Sequence, residues 1–250
     1  MNEFGESKVR FEELDRCTGD LKAVEAFMAK HKATESEWKM KLTQSQDVVP
    51  WVKRPETIDP SIKDNLAELA GVLKRENYAN LSSILDVGCY GGYLYDYLRS
   101  LGIDLSYTGM DIRKDAVEGA EKLHSDCPKT RFMRGSVFDF KNTMKEKTYD
   151  VVVCSRVLIH LPDFKKAIAN LRFAAKRFVF LIARIEEPQG SCRLMRKHDE
   201  TTGETMTYFY RSVSEADIAA AAKACRIRSY EIVGNSKERA YCSVFLWRRK

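Results

Sequence analysis

Apolar positions recur along this chain with two different periods, and the change from one to the other marks its elements. From residue 83 onward, short runs rich in β-branched and aromatic residues alternate with stretches of helical spacing. The runs predict strands at 83–87, 106–111, 131–135, 149–154, 177–183, 227–233 and 241–247. The stretches between them predict helices at 91–101, 113–124, 164–175 and 214–225. Val151-Val152-Val153 and Phe178-Val179-Phe180-Leu181-Ile182 are apolar at every position, which suits central parallel strands covered on both faces. Alternation of this kind implies a doubly wound α/β sheet, here seven-stranded and mostly parallel. The last strand is expected to be reversed, because only a short loop near Gly234-Asn235-Ser236 separates it from its predecessor.

The chain before residue 83 has a different character. Residues 1–47 are polar and helix-prone, with Leu21, Val24, Phe27 and Met28 spaced as one helical face. Prolines at 50, 55 and 60 make 47–60 an extended connector, with Trp51 as a candidate anchor and substrate contact. A second amphipathic helix is expected at 62–76, through Leu66, Leu69, Ala70 and Leu73. The domain plan is therefore an N-terminal helical lid or accessory segment at 1–80, then a main domain at 81–250 with an insertion at 184–213. A connection that long predicts a lid or a binding hairpin.

The chemistry concentrates where strands end. Ile84-Leu85-Asp86-Val87-Gly88-Cys89-Tyr90-Gly91-Gly92 runs from an apolar strand into glycines and then into the helical pattern that begins at Tyr93. Glycines there bring bare backbone beside a ligand. A second acidic strand end follows at Asp111, and the pair reads as a nucleoside-cofactor site on a βαβ unit. A dinucleotide fingerprint starting at Gly88 needs glycines at 90 and 93, and both are tyrosine, so a nicotinamide dehydrogenase is disfavoured.

Composition narrows the field without choosing a function. Apolar residues make up 44% of 250, enough for a sizeable core, and no apolar run is long enough to span a membrane. The first residues, Met-Asn-Glu-Phe-Gly-Glu-Ser-Lys, have no signal-peptide core. Seven cysteines are scattered without a C-x-x-C pair, which predicts reduced thiols in a cytoplasmic protein. The formal charge of +6 is spread along the chain, so a nucleic-acid partner is not expected. Four well-separated histidines give no metal-ligand spacing, and no metal is expected.

The glycine loop and the order of the segments after it resemble class I S-adenosylmethionine-dependent methyltransferases, in particular small-molecule, type 11-like members. Gly88 and Gly92 match the outer glycines of that family's first motif, and Tyr90 stands at the central one. The resemblance covers about residues 80–250 and implies a Rossmann-like methyltransferase fold with S-adenosylmethionine as cofactor. It implies that Asp86 lies near the methionine amino group and that Asp111, with Ile112 beside it, accepts the ribose hydroxyls. Ser136 and Val137, in Phe132-Met133-Arg134-Gly135-Ser136-Val137-Phe138-Asp139, fall at the adenine contacts, Ser136 where relatives often carry an aspartate.

Asp150 to Asp163 resembles the post-strand motif of small-molecule methyltransferases, which puts Ser155 beside the methionine portion. His160 is a candidate general base there, and Arg156 either orients an anionic substrate or caps a helix. In the insertion, Arg184, Tyr208, Tyr210 and Arg211 form a candidate aromatic wall with a cationic end for the acceptor. The expected reaction is methyl transfer to an O or N nucleophile of a small molecule, by a chain for which monomer and homo-oligomer both stay open. The alternatives are an RNA or protein methyltransferase, or a non-catalytic cofactor-binding subunit.

Overall fold

The computed structural model describes residues 9–31, 60–186, 188–200, 203, 205–233 and 241–247. Trp51, the proline-rich connector and the loop at 234–236 lie outside them.

The expected seven-stranded sheet is present. In chain order its strands are β2 (Ser83–Val87), β3 (Ser106–Asp111), β4 (Thr130–Arg134), β5 (Tyr149–Ser155), β6 (Ala175–Ala183), β9 (Ser229–Val233) and β10 (Cys242–Trp247). Their spatial order is β4-β3-β2-β5-β6-β10-β9. Strands β2 to β6 pair in parallel, whereas β10 runs antiparallel to both β6 and β9. The reversed strand is thus the last in the chain, inserted between its neighbours.

Both faces of this sheet are covered, which explains why its central strands are apolar throughout. Val151 and Val153 of β5 belong to one core with Ile84, Phe178, Phe180 and Phe245. On that side pack α2 (Pro60–Arg75), α3 (Tyr93–Ser100) and α4 (Lys114–Leu123), through Leu69, Leu73, Leu94, Leu98 and Val117. Val152 and Cys154 face the other way, as a period of two requires, and join the core beneath α6 (Phe164–Ala174) and α7 (Glu215–Ala224). A single turn of helix, α5 (Phe140–Thr143), precedes β5.

The N-terminal segment departs from the helical expectation. Residues Val9–Thr18 form a strand, β1, ahead of a helix α1 at Leu21–Lys30. The face Leu21, Val24, Phe27 and Met28 is buried as expected, and the Asp20 side chain caps α1 by accepting from the Ala23 N–H at 2.9 Å. Strand β1 pairs antiparallel with β7 (Ser191–Asp199), which pairs with β8 (Thr205–Arg211). The insertion is therefore a hairpin, and with β1 it makes a second, three-stranded sheet. The reason β1 is a strand lies far along the sequence. Its charged residues meet opposite charges on β7, Glu12 with Arg196 at 2.9 Å and Glu13 with Arg193 at 3.7 Å. Among the described residues, no helix is long and apolar enough to cross a membrane.

Candidate functional site

The loop after β2 is fastened to β3. The N–H groups of Gly88 and Cys89 both donate to the Met110 carbonyl, at 2.7 and 3.1 Å. Gly88 takes a left-handed φ of +79°, and a Cβ there would lie 2.1 Å from Cγ2 of Val157. Tyr90 also sits at positive φ, +51°, where a glycine would be unstrained. It is held there by its N–H, which donates to Oδ2 of Asp111 at 3.1 Å, and by its ring, stacked on Tyr93 at 5.8 Å. The other oxygen of Asp111 accepts from the Arg113 N–H at 3.0 Å. Asp111 therefore organises the loop and the start of α4 together. Burial raises its pKa, while the N–H groups of Arg113 and Tyr90 pull it down.

Four strand ends close around a cavity of about 220 Å³. Gly88 and Tyr90 form one wall, and Asp111, Ile112 and Arg113 the next. Gly135, Ser136 and Val137 follow β4, while Ser155, Arg156, Val157 and His160 follow β5. This is the carboxyl edge of the parallel strands, where open α/β sheets bind their ligands. Seven of the nine residues expected at the cofactor line it: Gly88, Tyr90, Asp111, Ile112, Ser136, Val137 and Ser155.

Asp86 and Gly92 stand back from the cavity. Asp86 is 3% exposed and accepts from the Tyr107 hydroxyl at 2.7 Å, beneath the loop. Burial pushes its pKa up to about 7, against the pull of that hydrogen bond. Gly92 is the N-cap of α3, at φ +85°, and a Cβ there would come within 2.7 Å of the His124 ring. It packs closely against His124 and Phe132. The sequence reading passed over Arg113, Gly135 and Val157. The first two adjoin residues that stand out in the sequence, whereas Val157 enters the wall by packing directly against the Gly88 backbone.

The acceptor-side candidates divide. His160 ends a 3-10 turn at Leu158–His160 and lines the cavity. Its Nδ1 lies 3.0 Å from the Phe209 carbonyl. A carbonyl only accepts, so Nδ1 carries the hydrogen and Nε2 keeps a lone pair. Burial lowers the His160 pKa, outweighing the opposing hydrogen bond. Arg156, at φ +57°, lines the cavity with its guanidinium 4.2 Å over the Tyr241 ring.

Arg184, Tyr208 and Tyr210 are not part of the cavity wall. Arg184 bonds Glu186 at 2.8 Å and donates to the Tyr210 hydroxyl at 3.1 Å. That hydroxyl is 2.6 Å from the hydroxyl of Tyr241, whose ring lies under the cavity-lining Arg156. Burial would raise the Glu186 pKa, but hydrogen bonds from Ser191, Arg184 and Ser212 hold it at about 2. Tyr208 sets its ring edge-on to His160, at 6.1 Å. Arg211 corrects the expectation of a cationic end for the acceptor. It is 1% exposed and donates to the Leu161 carbonyl, inside the protein.

The lining joins one carboxylate, Asp111, to apolar walls from Met110, Ile112 and Val137. That set fits a nucleoside with two adjacent hydroxyls. It does not fit a pyrophosphate, whose glycine spacing Tyr90 and Tyr93 interrupt. Among the described residues, no group of three or more His, Cys, Asp or Glu side chains is placed to hold a metal ion.

Comparison with known proteins agrees with this geometry. Residues 85–177 match a methyltransferase domain family. Over 83 residues the chain is 39% identical to the ubiquinone biosynthesis O-methyltransferase of Hydrogenovibrio crunogenus, a match covering 32% of this chain and 33% of that protein. The enzyme of the same name from Rickettsia prowazekii is 32% identical over 100 residues, which cover 39% of this chain and 38% of the relative. The match thus spans little more than a third of these relatives' length. The crystal structure of magnesium protoporphyrin IX methyltransferase from Synechocystis PCC 6803 with bound SAH superposes with a TM-score of 0.55. It is 16% identical, and the superposition covers 90% of this chain and 100% of that one. Residues 85–177 thus match a methyltransferase domain in sequence, and the described residues share the fold of that solved methyltransferase.

Proposed function

We propose that this chain moves a methyl group from S-adenosylmethionine to an O or N nucleophile of a small-molecule acceptor. The observation that carries the proposal is that Asp111 and His160 line one cavity, which sets a carboxylate and an imidazole around the same space. Bound there, S-adenosylmethionine supplies an electrophilic methyl group. Asp111 would hold the ribose hydroxyls, Ile112 and Val137 the faces of the adenine, and the Ser136 hydroxyl its polar edge. Ser155 and Gly88 would border the methionine portion, with Asp86 beneath it.

His160 Nε2 would take the proton from the acceptor nucleophile as the methyl group arrives, and burial lowers the pKa of the imidazole, which favours its neutral form. Met110 and Val157 would present apolar surface to the reacting atoms. The name of the relatives, ubiquinone biosynthesis O-methyltransferase, favours oxygen as the nucleophile. Arg156 would orient the acceptor, and β1 with the β7–β8 hairpin would cover it. Seven free cysteines support a reducing, cytoplasmic location.

The test uses methyl-labelled S-adenosylmethionine, the purified protein and a cell extract split into small-molecule, RNA and protein fractions. Label should arrive in the small-molecule fraction. Label in RNA or protein would replace the acceptor class, and cofactor binding without any label would remove the activity.

A further inference from the structure

The turn that carries His160 is gripped by β8 at two consecutive residues. His160 donates through Nδ1 to the Phe209 carbonyl at 3.0 Å, and the Leu161 carbonyl accepts from Nη1 of Arg211 at 3.0 Å. Phe209 and Arg211 alternate along one strand, so their side chains share a face. Phe209 anchors that face to α1, where it packs with Val24, Phe27 and Met28. Arg211 lies beneath the turn itself, its guanidinium 5.5 Å from the ring of Phe164 at the start of α6.

Arg211 is the largest fully buried side chain among the described residues. Its Nε and Nη2 make no hydrogen bond to protein, and the carboxylates of Glu25, Asp163 and Asp217 act on it only as surrounding charges. Burying a guanidinium is costly, and an apolar side chain of similar volume would fill the space without that cost. What an apolar side chain cannot supply is the bond to Leu161. That bond fixes the backbone next to His160, while the neighbouring carbonyl of the same strand fixes the imidazole's tautomer and angle. Sliding the turn against β8 would break both contacts at once.

We propose that Arg211 is a positioning residue for His160, through which the β7–β8 hairpin aims Nε2 at the cavity. The proposal rests on the reading of His160 as the base. Arg211 touches neither cofactor nor acceptor, and its effect should appear in turnover while cofactor affinity is spared.

The experiment compares wild type with Arg211→Met and Arg211→Lys by three readouts. These are S-adenosylmethionine affinity by calorimetry, label transfer into the small-molecule extract fraction, and the ring ¹⁵N resonances of His160. Arg211→Met should bind S-adenosylmethionine within about twofold of wild type and lose about tenfold or more in label transfer. Its His160 resonances should move from a fixed Nδ1–H tautomer toward a mixture. Arg211→Lys, which keeps the charge but not the planar fork, should show the same changes at smaller size. Unchanged label transfer and unchanged His160 resonances in Arg211→Met overturn the proposal. If the methionine variant does not fold, the same null result in Arg211→Lys overturns it. Full activity in His160→Ala would instead remove the base, and the resonances would still report whether Arg211 positions the ring.

Discussion

The two sides of the cavity are built on different principles. The cofactor side is local: Gly88, Tyr90, Asp111 and Ile112 come from two adjacent strand ends and the turns directly after them, tied together by backbone N–H groups. The acceptor side is long-range. His160 takes its orientation from Phe209, and that strand is held through β7 by β1, near the start of the chain. A local scaffold fixes a ligand shared by many proteins. A long-range one can change its cover without disturbing that scaffold.

If the sides are separable in this way, substitutions on each should leave different signatures. The largest effect is expected from Gly88→Ala, which combines left-handed strain with a collision against Val157. Together these should destabilise the fold by about 2–5 kcal/mol and abolish cofactor binding, as measured by denaturant titration and calorimetry. His160→Ala should lower turnover about 10²-fold with cofactor affinity nearly unchanged.

The pH profile sharpens that second case. With His160 as the proposed base, turnover would need the neutral imidazole, and burial favours that form, so wild-type activity should rise through an inflection below 6.5 and stay level above it. The inflection should be absent from His160→Ala. Asp111→Ala should weaken S-adenosylmethionine binding about 10- to 100-fold, the value of hydrogen bonds to a charged group. Tyr210→Phe should be the mildest. Loss of the Tyr210–Tyr241 hydrogen bond should cost about 0.5–1.5 kcal/mol in stability and leave cofactor affinity as it was.

The same division decides what the sequence discloses. Strands β2 to β6 carry apolar runs because both of their faces are buried, and the glycine loop is written in consecutive residues. Strand β1 carries no such signal. Val9–Thr18 is largely polar, and its partners are nearly two hundred residues away on β7.

Arg211 is the most instructive misreading. In Tyr208-Phe209-Tyr210-Arg211 the charge looks like the exposed end of an aromatic wall. The period of a strand puts Arg211 on the face of Phe209, opposite Tyr208 and Tyr210, and that face is buried. Asp86 stands one layer below the cavity wall, where the sequence alone does not place it. A carboxylate at a strand end is conspicuous in sequence, whereas the Tyr107 hydroxyl that donates to it is visible only in the paired sheet.

The central claim is that the strand-end cavity is an S-adenosylmethionine site and not a dinucleotide site. Calorimetric titration of the purified chain with S-adenosylmethionine, and separately with NAD, tests it most directly. The account predicts saturable binding of one S-adenosylmethionine per chain, weakened in Asp111→Ala, and no heat with NAD. Saturable binding of NAD without S-adenosylmethionine binding would contradict it.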